Sequence, residues 1–195
     1  MKVFIRDTNP KFILASQAVG FENVEYVDIT KAKAACVVLP ANSFGIMGSG
    51  AALALKNRFP GVEDDLRETI KHQGGELLIG QAIICQTDDE EIPFMIAAPT
   101  MRIPKVIADP IDIYLATRAA MREWLFVISN IEELEKEIIA FPGMGTGKGG
   151  VDFPVAARAM KIGIEDAING INIPNTKEDM FKQSYDLHRK INFGL

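Results

Sequence analysis

The sequence contains few of the residues that build metal centres and covalent cross-links: there are two cysteines and two histidines among 195 residues. Cys36 and Cys85 each lie in a short apolar run, which predicts two buried free thiols and neither a disulfide nor a metal pair. His72 and His188 are far apart, no His-Glu-x-x-His pattern occurs, and surface or cap roles are expected for both. The sequence therefore predicts no metal site and no bound cofactor.

The chain also lacks long hydrophobic runs and an excess of positive charge. No stretch reaches the roughly 18 apolar residues of a membrane span, and the N-terminal residues show no apolar core of a signal peptide. The net charge is −5 and the isoelectric point is about 5.1, which excludes general binding to long nucleic acids or to anionic membranes. We expect a cytoplasmic protein that recognises a small anion through local groups.

What is present is the composition of an ordinary globular domain, with 48% hydrophobic and 24% charged residues. A chain of this mass buries roughly 70% of its unfolded surface, enough for a core without metal or disulfide cross-links. We find no internal repeat or linker, so residues 1–195 are expected to form one domain. Two acidic stretches, residues 88–91 and 132–137, are interpreted as a loop and a solvated helix end.

Strands are predicted where short apolar runs are bounded by Gly, Pro, Asn or Asp. Six runs meet this description: residues 3–6, 24–28, 36–40, 81–87, 94–98 and 138–141. Helical patterns occupy residues 50–58, 62–72, 111–128 and 155–168. The alternation predicts an α/β fold, a three-layer α/β/α sandwich around a mixed, largely parallel central sheet.

The C-terminal residues carry a further helical pattern. Thr176 and Asp179 have the spacing of a capping box, and Met180, Leu187 and Ile191 follow at helical intervals. Residues 175–195 are therefore predicted to be a C-terminal helical extension of the domain.

The glycines are concentrated in two places, and the first lies between a predicted strand and a predicted helix. Residues 40–50 read Pro-Ala-Asn-Ser-Phe-Gly-Ile-Met-Gly-Ser-Gly. Gly48 and Gly50 allow a positive φ and a close backbone approach, and the free N–H groups at a helix start attract anions. A tight turn in which Ser49 caps the helix explains the same residues equally well.

The second concentration is residues 142–150, Pro-Gly-Met-Gly-Thr-Gly-Lys-Gly-Gly, which again follow a strand. So many glycines are costly in an ordinary turn, so ligand contact is favoured. Residues 145–150 match the dinucleotide fingerprint G-x-G-x-x-G in form. A dinucleotide-dependent oxidoreductase would also need a strand after Ile168, which the sequence does not indicate.

If both loops follow parallel strands, they face each other across a cleft at the carboxyl edge of the sheet. Their backbone amides, together with Ser49, Thr146 and Lys148, suit a diphosphate, which requires no metal. Arg102 lies in a rigid loop between prolines and is a further candidate to overlook this cleft; the alternative is a surface ion pair.

Several segments, taken in order, resemble the macro domain, the ADP-ribose-binding α/β/α module. Residues 27–30, Val-Asp-Ile-Thr, are similar to its G-D-I-T segment, and residues 39–43, Leu-Pro-Ala-Asn-Ser, to its N-A-A-N-S strand end. Residues 44–50 and 141–150 resemble its two phosphate loops, with Thr146-Gly147 matching its S-T-G core. Gly80-Gln81-Ala82 matches its G-x-A. The resemblance extends from about Tyr26 to Ala167.

The resemblance implies that the chain binds ADP-ribose or a related NAD-derived nucleotide, free or attached to a modified molecule. It assigns the adenine amino group to the Asp28 carboxylate with help from the Ile29 amide, and the distal ribose to Asn42. It assigns the diphosphate to the two loops, through Gly48, Ser49 and Gly50 on one side and Thr146, Gly147, Lys148 and Gly149 on the other. From the residues alone, Asp28 also suits a turn, and Asn42 a turn that bonds its own backbone.

The chain departs from the family's pattern at positions that bear on catalysis. Members that hydrolyse ADP-ribose linkages often carry Asn where Leu39 stands and an acid near Ala51 and Ala52. The alternative function implied is an ADP-ribosyl hydrolase in which Asn42 orients a water and Asp152 replaces the acid. Asp152 equally suits the start of a helix before a proline.

Overall fold

The computed structural model describes residues 1–131 and 138–195, so the prediction for residues 132–137 lies outside the described residues. Helices and strands alternate along most of the chain. They are β1 (Lys2–Asp7), α1 (Pro10–Ala18), β2 (Val24–Tyr26), β3 (Cys36–Asn42), α2 (Gly50–Arg58), α3 (Val62–His72), β4 (Ile83–Gln86), β5 (Phe94–Met101), α4 (Ile111–Asn130), β6 (Ile138–Phe141), α5 (Phe153–Asn169) and α6 (Lys177–Phe193), with a 3₁₀ turn at Ile29–Lys31.

The strands form a six-stranded sheet in the order β2-β1-β6-β3-β5-β4. Neighbouring strands are parallel except β4 and β5, so the predicted α/β class with a mixed, largely parallel sheet is confirmed. The N-terminal strand lies inside the sheet, because β1 pairs with β2 on one side and with β6 on the other. This order places the carboxyl ends of β2, β1, β6, β3 and β5 along one edge.

Successive strand residues point to opposite faces of the sheet and enter two separate cores. Cys36 and Val38 pack with residues of α1, α4 and α5, whereas Val37 and Leu39 pack with residues of α2 and α3. Covering both faces requires strands that are apolar throughout, which is why the predicted runs show no alternation.

Both cysteines are free and buried, as predicted. Burial raises the pKa of the Cys85 thiol to about 11, which keeps it protonated and unreactive near neutral pH. Among the described helices, none is both long enough and apolar enough to cross a membrane.

Helix α1 was not predicted from the sequence. Its start has a readable signal, since the Asn9 side chain accepts a hydrogen bond from the Lys11 N–H and Pro10 occupies the first turn. The apolar residues of α1 do not form a single stripe, because Leu14 is exposed between the buried Ile13 and Ala15. Periodicity is therefore a weak guide to this helix.

The predicted capping box of α6 is confirmed, with reciprocal hydrogen bonds between Thr176 and Asp179. The helix packs on α5, where Ile191 is fully buried and Arg158 donates to the carbonyls of Ile191 and Asn192. Residues 170–195 form a loop and α6 but no strand. The oxidoreductase hypothesis therefore lacks the additional strand that it requires.

Candidate functional site

A cleft of about 830 Å³ opens at the carboxyl edge of the sheet. The turn after β1, the start of the 3₁₀ turn, loop 1 (residues 42–50), the end of β5 and loop 2 (residues 142–150) contribute to its lining. The ten residues expected to contact ligand all lie in this lining: Asp28, Ile29, Asn42, Gly48, Ser49, Gly50, Thr146, Gly147, Lys148 and Gly149. The two glycine-rich loops thus belong to one cleft.

Asn42 closes loop 1 on itself. Its Oδ1 accepts hydrogen bonds from the N–H groups of Phe44 (3.1 Å) and Ile46 (3.3 Å), and its Nδ2 donates to the Ile46 carbonyl (2.7 Å). Asn42 therefore has the role that the sequence offered as an alternative to ligand binding, a turn in which the side chain bonds the neighbouring backbone. Because an amide nitrogen has two hydrogens, one donor of Asn42 is left for a ligand.

Loop 1 is also held from outside by Glu63, in the first turn of α3. Its Oε1 accepts the N–H of the buried Met47 at 2.7 Å, and its other oxygen pairs with Lys56. The hydrogen bond from Lys56 and that from Met47 hold the pKa of Glu63 below its usual value. Sequence reasoning missed this anchor, because no local pattern signals a contact across sixteen residues.

The three residues at the start of α2 meet the sequence expectation only in part. Gly50 adopts a φ of 56°, in the left-handed region, but Gly48 does not. A Cβ built on Gly48 meets no described atom within 4 Å. Ser49 occupies the N-cap position, yet its hydroxyl makes no capping hydrogen bond. Neither backbone conformation nor packing therefore requires glycine at position 48.

Loop 2 is fastened to β1. The Gly143 N–H donates to Oδ2 of Asp7 at 2.9 Å, and the Thr146 hydroxyl donates to the Gly143 carbonyl at 3.1 Å. Farther along, the Gly149 carbonyl accepts the Ile107 N–H at 2.9 Å. Asp7 lines the cleft and was also missed, since 136 positions separate it from its partner.

Most glycines of loop 2 are required by their surroundings. Gly145 has a φ of 71°, and a Cβ built on it would collide with the Ile113 side chain. A Cβ built on Gly149 would lie 2.6 Å from the Ile107 side chain. Gly147 is different, because its φ lies outside the left-handed region and its Cβ would meet nothing within 4 Å in the described structure. Gly147 of loop 2 and Gly48 of loop 1 thus share one property: neither backbone conformation nor packing requires glycine there.

The two basic side chains that line the cleft differ in whether they are already hydrogen-bonded. Lys148 is exposed and makes no hydrogen bond or ion pair within the described residues. Arg6 directs Nε to Glu25 (2.7 Å) and a terminal nitrogen to the Lys33 carbonyl (3.1 Å). Of the two cations that line the cleft in the described part of the chain, Lys148 is therefore the one whose charge is not paired.

Asp28 caps the 3₁₀ turn through one oxygen. Its Oδ1 accepts from the N–H and the hydroxyl of Thr30, both at 2.8 Å. Asp28 belongs to the cleft lining, and its Oδ2 has no hydrogen-bond partner among residues 1–131 and 138–195. Both uses weighed from the sequence, a turn and a ligand contact, are compatible with this geometry.

Asp152 and Arg102 do not line the cleft. Asp152 is exposed at the start of α5 and makes no capping hydrogen bond. Arg102 forms an ion pair with Glu76 at 2.7 Å and lies 5.0 Å from the ring centre of Phe44. Of the two roles considered for Arg102, the surface ion pair is the one present.

Comparison with known proteins gives a consistent result. A sequence model of the macro domain matches residues 38–160. An uncharacterized protein of Aquifex aeolicus is 38% identical over 135 residues, which cover 68% of this chain and 73% of that protein. The DNA ADP-ribosyl glycohydrolase of Mycobacterium tuberculosis is 31% identical over 130 residues, 65% of this chain but only 34% of that enzyme.

A solved structure shows the same fold. A variant of the Oceanobacillus iheyensis macrodomain, with ADPR (ADP-ribose), has a TM-score of 0.59 and 20% identity, and the alignment covers 84% of this chain and 87% of that one.

Proposed function

The chain belongs to the macro domain family, and from this premise we propose that its cleft binds ADP-ribose or a related NAD-derived nucleotide, with the diphosphate between loop 1 and loop 2. The bound ADPR of the Oceanobacillus neighbour supports this ligand class. The proposal applies equally to ADP-ribose attached to a larger molecule.

The observation that carries the proposal is the pair Gly48 and Gly147. Both line the cleft, neither has a left-handed φ, and neither would crowd a neighbour with a side chain. A glycine costs about 0.4–1 kcal/mol relative to alanine where alanine fits. We infer that the bare backbone at both positions is retained for close approach of a diphosphate to the amides.

The remaining roles follow from groups that the loops do not use. The Ser49 hydroxyl and Lys148 supply donors and charge to the diphosphate, and the start of α2 adds the positive end of its dipole. The Asp28 Oδ2 accepts the adenine amino group, and the second Nδ2 hydrogen of Asn42 reaches the distal ribose. A net negative protein can thus attract an anion at one place.

Calorimetric titration with ADP-ribose tests the proposal. We expect saturable binding, weakened roughly fivefold in Lys148→Ala, because an exposed charge contributes about 1 kcal/mol. Lys71→Ala is the matched control, since it removes the same charge from the exposed end of α3, outside the cleft. A folded protein that gives no heat at high micromolar ligand contradicts the proposal.

A second candidate is ADP-ribosyl hydrolysis, favoured by the 31% identity to the mycobacterial glycohydrolase. In that reaction water attacks the distal ribose C1″, the glycosidic bond breaks, and a proton passes to the leaving group. Asn42 would orient the water. Asp152, proposed as the acid, would have to reach the ligand from outside the cleft lining.

Release of ADP-ribose from modified protein or DNA separates hydrolysis from binding alone. If Asp152 is the acid, Asp152→Ala lowers release by about 10²-fold or more while leaving affinity unchanged. Asn42→Ala should abolish release, and its binding must be measured in parallel because Asn42 also closes loop 1. Unchanged release by Asp152→Ala rules out that residue.

A further inference from the structure

The turn between β1 and α1, residues 7–9, lines the cleft although it lies outside the segment that matches the macro domain. The match begins at residue 38, whereas Asp7, Thr8 and Asn9 all contribute to the lining. The N-terminal strand thus brings an additional wall into the site, between β2 and β6.

The register of the sheet fixes where along the cleft this wall lies. Asp7 pairs with Tyr26 of β2, two residues before Asp28, and its carboxylate accepts the Gly143 N–H of loop 2. Neighbouring strands are about 4.8 Å apart. The turn is therefore one strand away from Asp28 and one strand away from the start of loop 2.

The turn offers both acceptors and donors. The Asp7 carboxylate accepts from Asn9 N–H (2.7 Å) and Gly143 N–H (2.9 Å), and a carboxylate can accept about four such bonds. The Thr8 hydroxyl and the Asn9 Nδ2 have no hydrogen-bond partner in the described parts of the chain. The Asn9 Oδ1 is occupied by the Lys11 N–H.

We propose that Asp7, Thr8 and Asn9 form a ribose subsite that reads the 2′- and 3′-hydroxyls of the ribose attached to the base. Hydroxyl groups both donate and accept, so a carboxylate, a hydroxyl and an amide together match a diol. This inference rests on the proposed function, in which the base lies at Asp28 and the diphosphate at the loops. The ribose between them must then lie against the turn.

The test compares ADP-ribose with analogues that lack the 2′- or the 3′-hydroxyl of the adenosine ribose, by calorimetry on the full chain. We expect the wild type to bind ADP-ribose about tenfold more tightly than at least one analogue. Thr8→Val removes the hydroxyl at similar size. Asn9→Ser removes the amide donor and keeps an oxygen that can cap α1.

The double variant Thr8→Val, Asn9→Ser keeps the Asp7 carboxylate, so we expect its preference for ADP-ribose over that analogue to fall from about tenfold to about threefold. Thr69→Val on α3, outside the cleft, is the matched control and should keep the wild-type discrimination. Equal binding of ADP-ribose and both analogues by the wild type overturns the subsite, as does full discrimination by the double variant. No binding of ADP-ribose at all overturns the proposed function together with the subsite.

Discussion

Loop 1 follows β3 and loop 2 follows β6, and each is held by a carboxylate from elsewhere in the chain. Glu63 accepts the Met47 N–H of loop 1, and Asp7 accepts the Gly143 N–H of loop 2. The loops differ in why they contain glycine. In loop 2, Gly143, Gly145 and Gly149 are hemmed in by neighbouring atoms, whereas the last two glycines of loop 1, Gly48 and Gly50, face open space.

This difference shows that the number of glycines in loop 2 is not by itself good evidence that the loop contacts a ligand. Three of its five glycines are explained by packing. Gly50 and Gly150 are explained by their left-handed φ values of 56° and 64°. The positions that neither packing nor backbone conformation explains are therefore one on each loop, Gly48 and Gly147. The number of glycines in a loop is thus a weaker indicator than the space around each one.

The largest effect is expected at Gly145, the most crowded position of loop 2. Gly145→Ala forces a side chain onto a φ of 71° and against Ile113, which should lower the free energy of unfolding by about 3 kcal/mol. Urea unfolding measures this, and Gly48→Ala should leave the free energy of unfolding unchanged or raise it by up to about 1 kcal/mol. Equal losses for the two variants would remove the distinction between the loops.

The next effect concerns the anchor of loop 1. Glu63→Gln removes the charge that Met47 and Lys56 contact, so stability should fall by about 1 kcal/mol and ADP-ribose affinity about fivefold. Glu68→Gln is the matched control, because it neutralises an exposed carboxylate on the same helix. If the control loses as much affinity, the loss is not specific to the anchor of loop 1.

The same anchor predicts a pH dependence. The folded-state pKa of Glu63 is lowered, so its contribution is present above the ordinary glutamate pKa of about 4.3 and is lost as the pH falls through the lowered value. The stability difference between wild type and Glu63→Gln should be constant from pH 7 to about pH 5 and shrink on further acidification. Urea titrations at each pH test this, and a difference that grows below pH 4 contradicts the anchor.

The smallest effect is expected at Arg102, which touches loop 1 from outside the cleft. Its side chain is 60% exposed and paired with Glu76, so Arg102→Ala should change stability by no more than about 0.5 kcal/mol and affinity by less than about twofold. A tenfold loss of ADP-ribose affinity would place Arg102 at the ligand after all.

Much of the fold could be predicted from local pattern. The β6 strand at Ile138–Phe141 has the bounds expected from its apolar run, and the capping box of α6 is where Thr176 and Asp179 indicate it. Strand β2 is shorter than predicted, because Asp28 turns its side chain to cap the 3₁₀ turn. The hydrophobic pattern used to predict strands does not show where a side chain will cap a turn and so end the strand early.

The site itself was only partly predictable. Gly48 and Gly147 stand in recognisable loops, but nothing in the sequence separates them from the crowded Gly145. The anchors Asp7 and Glu63 join segments that are distant along the chain. Contacts of this kind depend on the strand order, in which the N-terminal β1 pairs with β6.

The most direct test of the account is the affinity of Gly48→Ala and Gly147→Ala for ADP-ribose, measured by calorimetry together with the melting temperature of each variant. The account predicts melting temperatures at or above that of the wild type, since alanine restricts the unfolded chain, with ADP-ribose binding weakened about tenfold or more because the new methyl groups occupy space reserved for the diphosphate. Wild-type affinity in both variants, with the fold intact, would contradict the claim that these two positions hold the ligand.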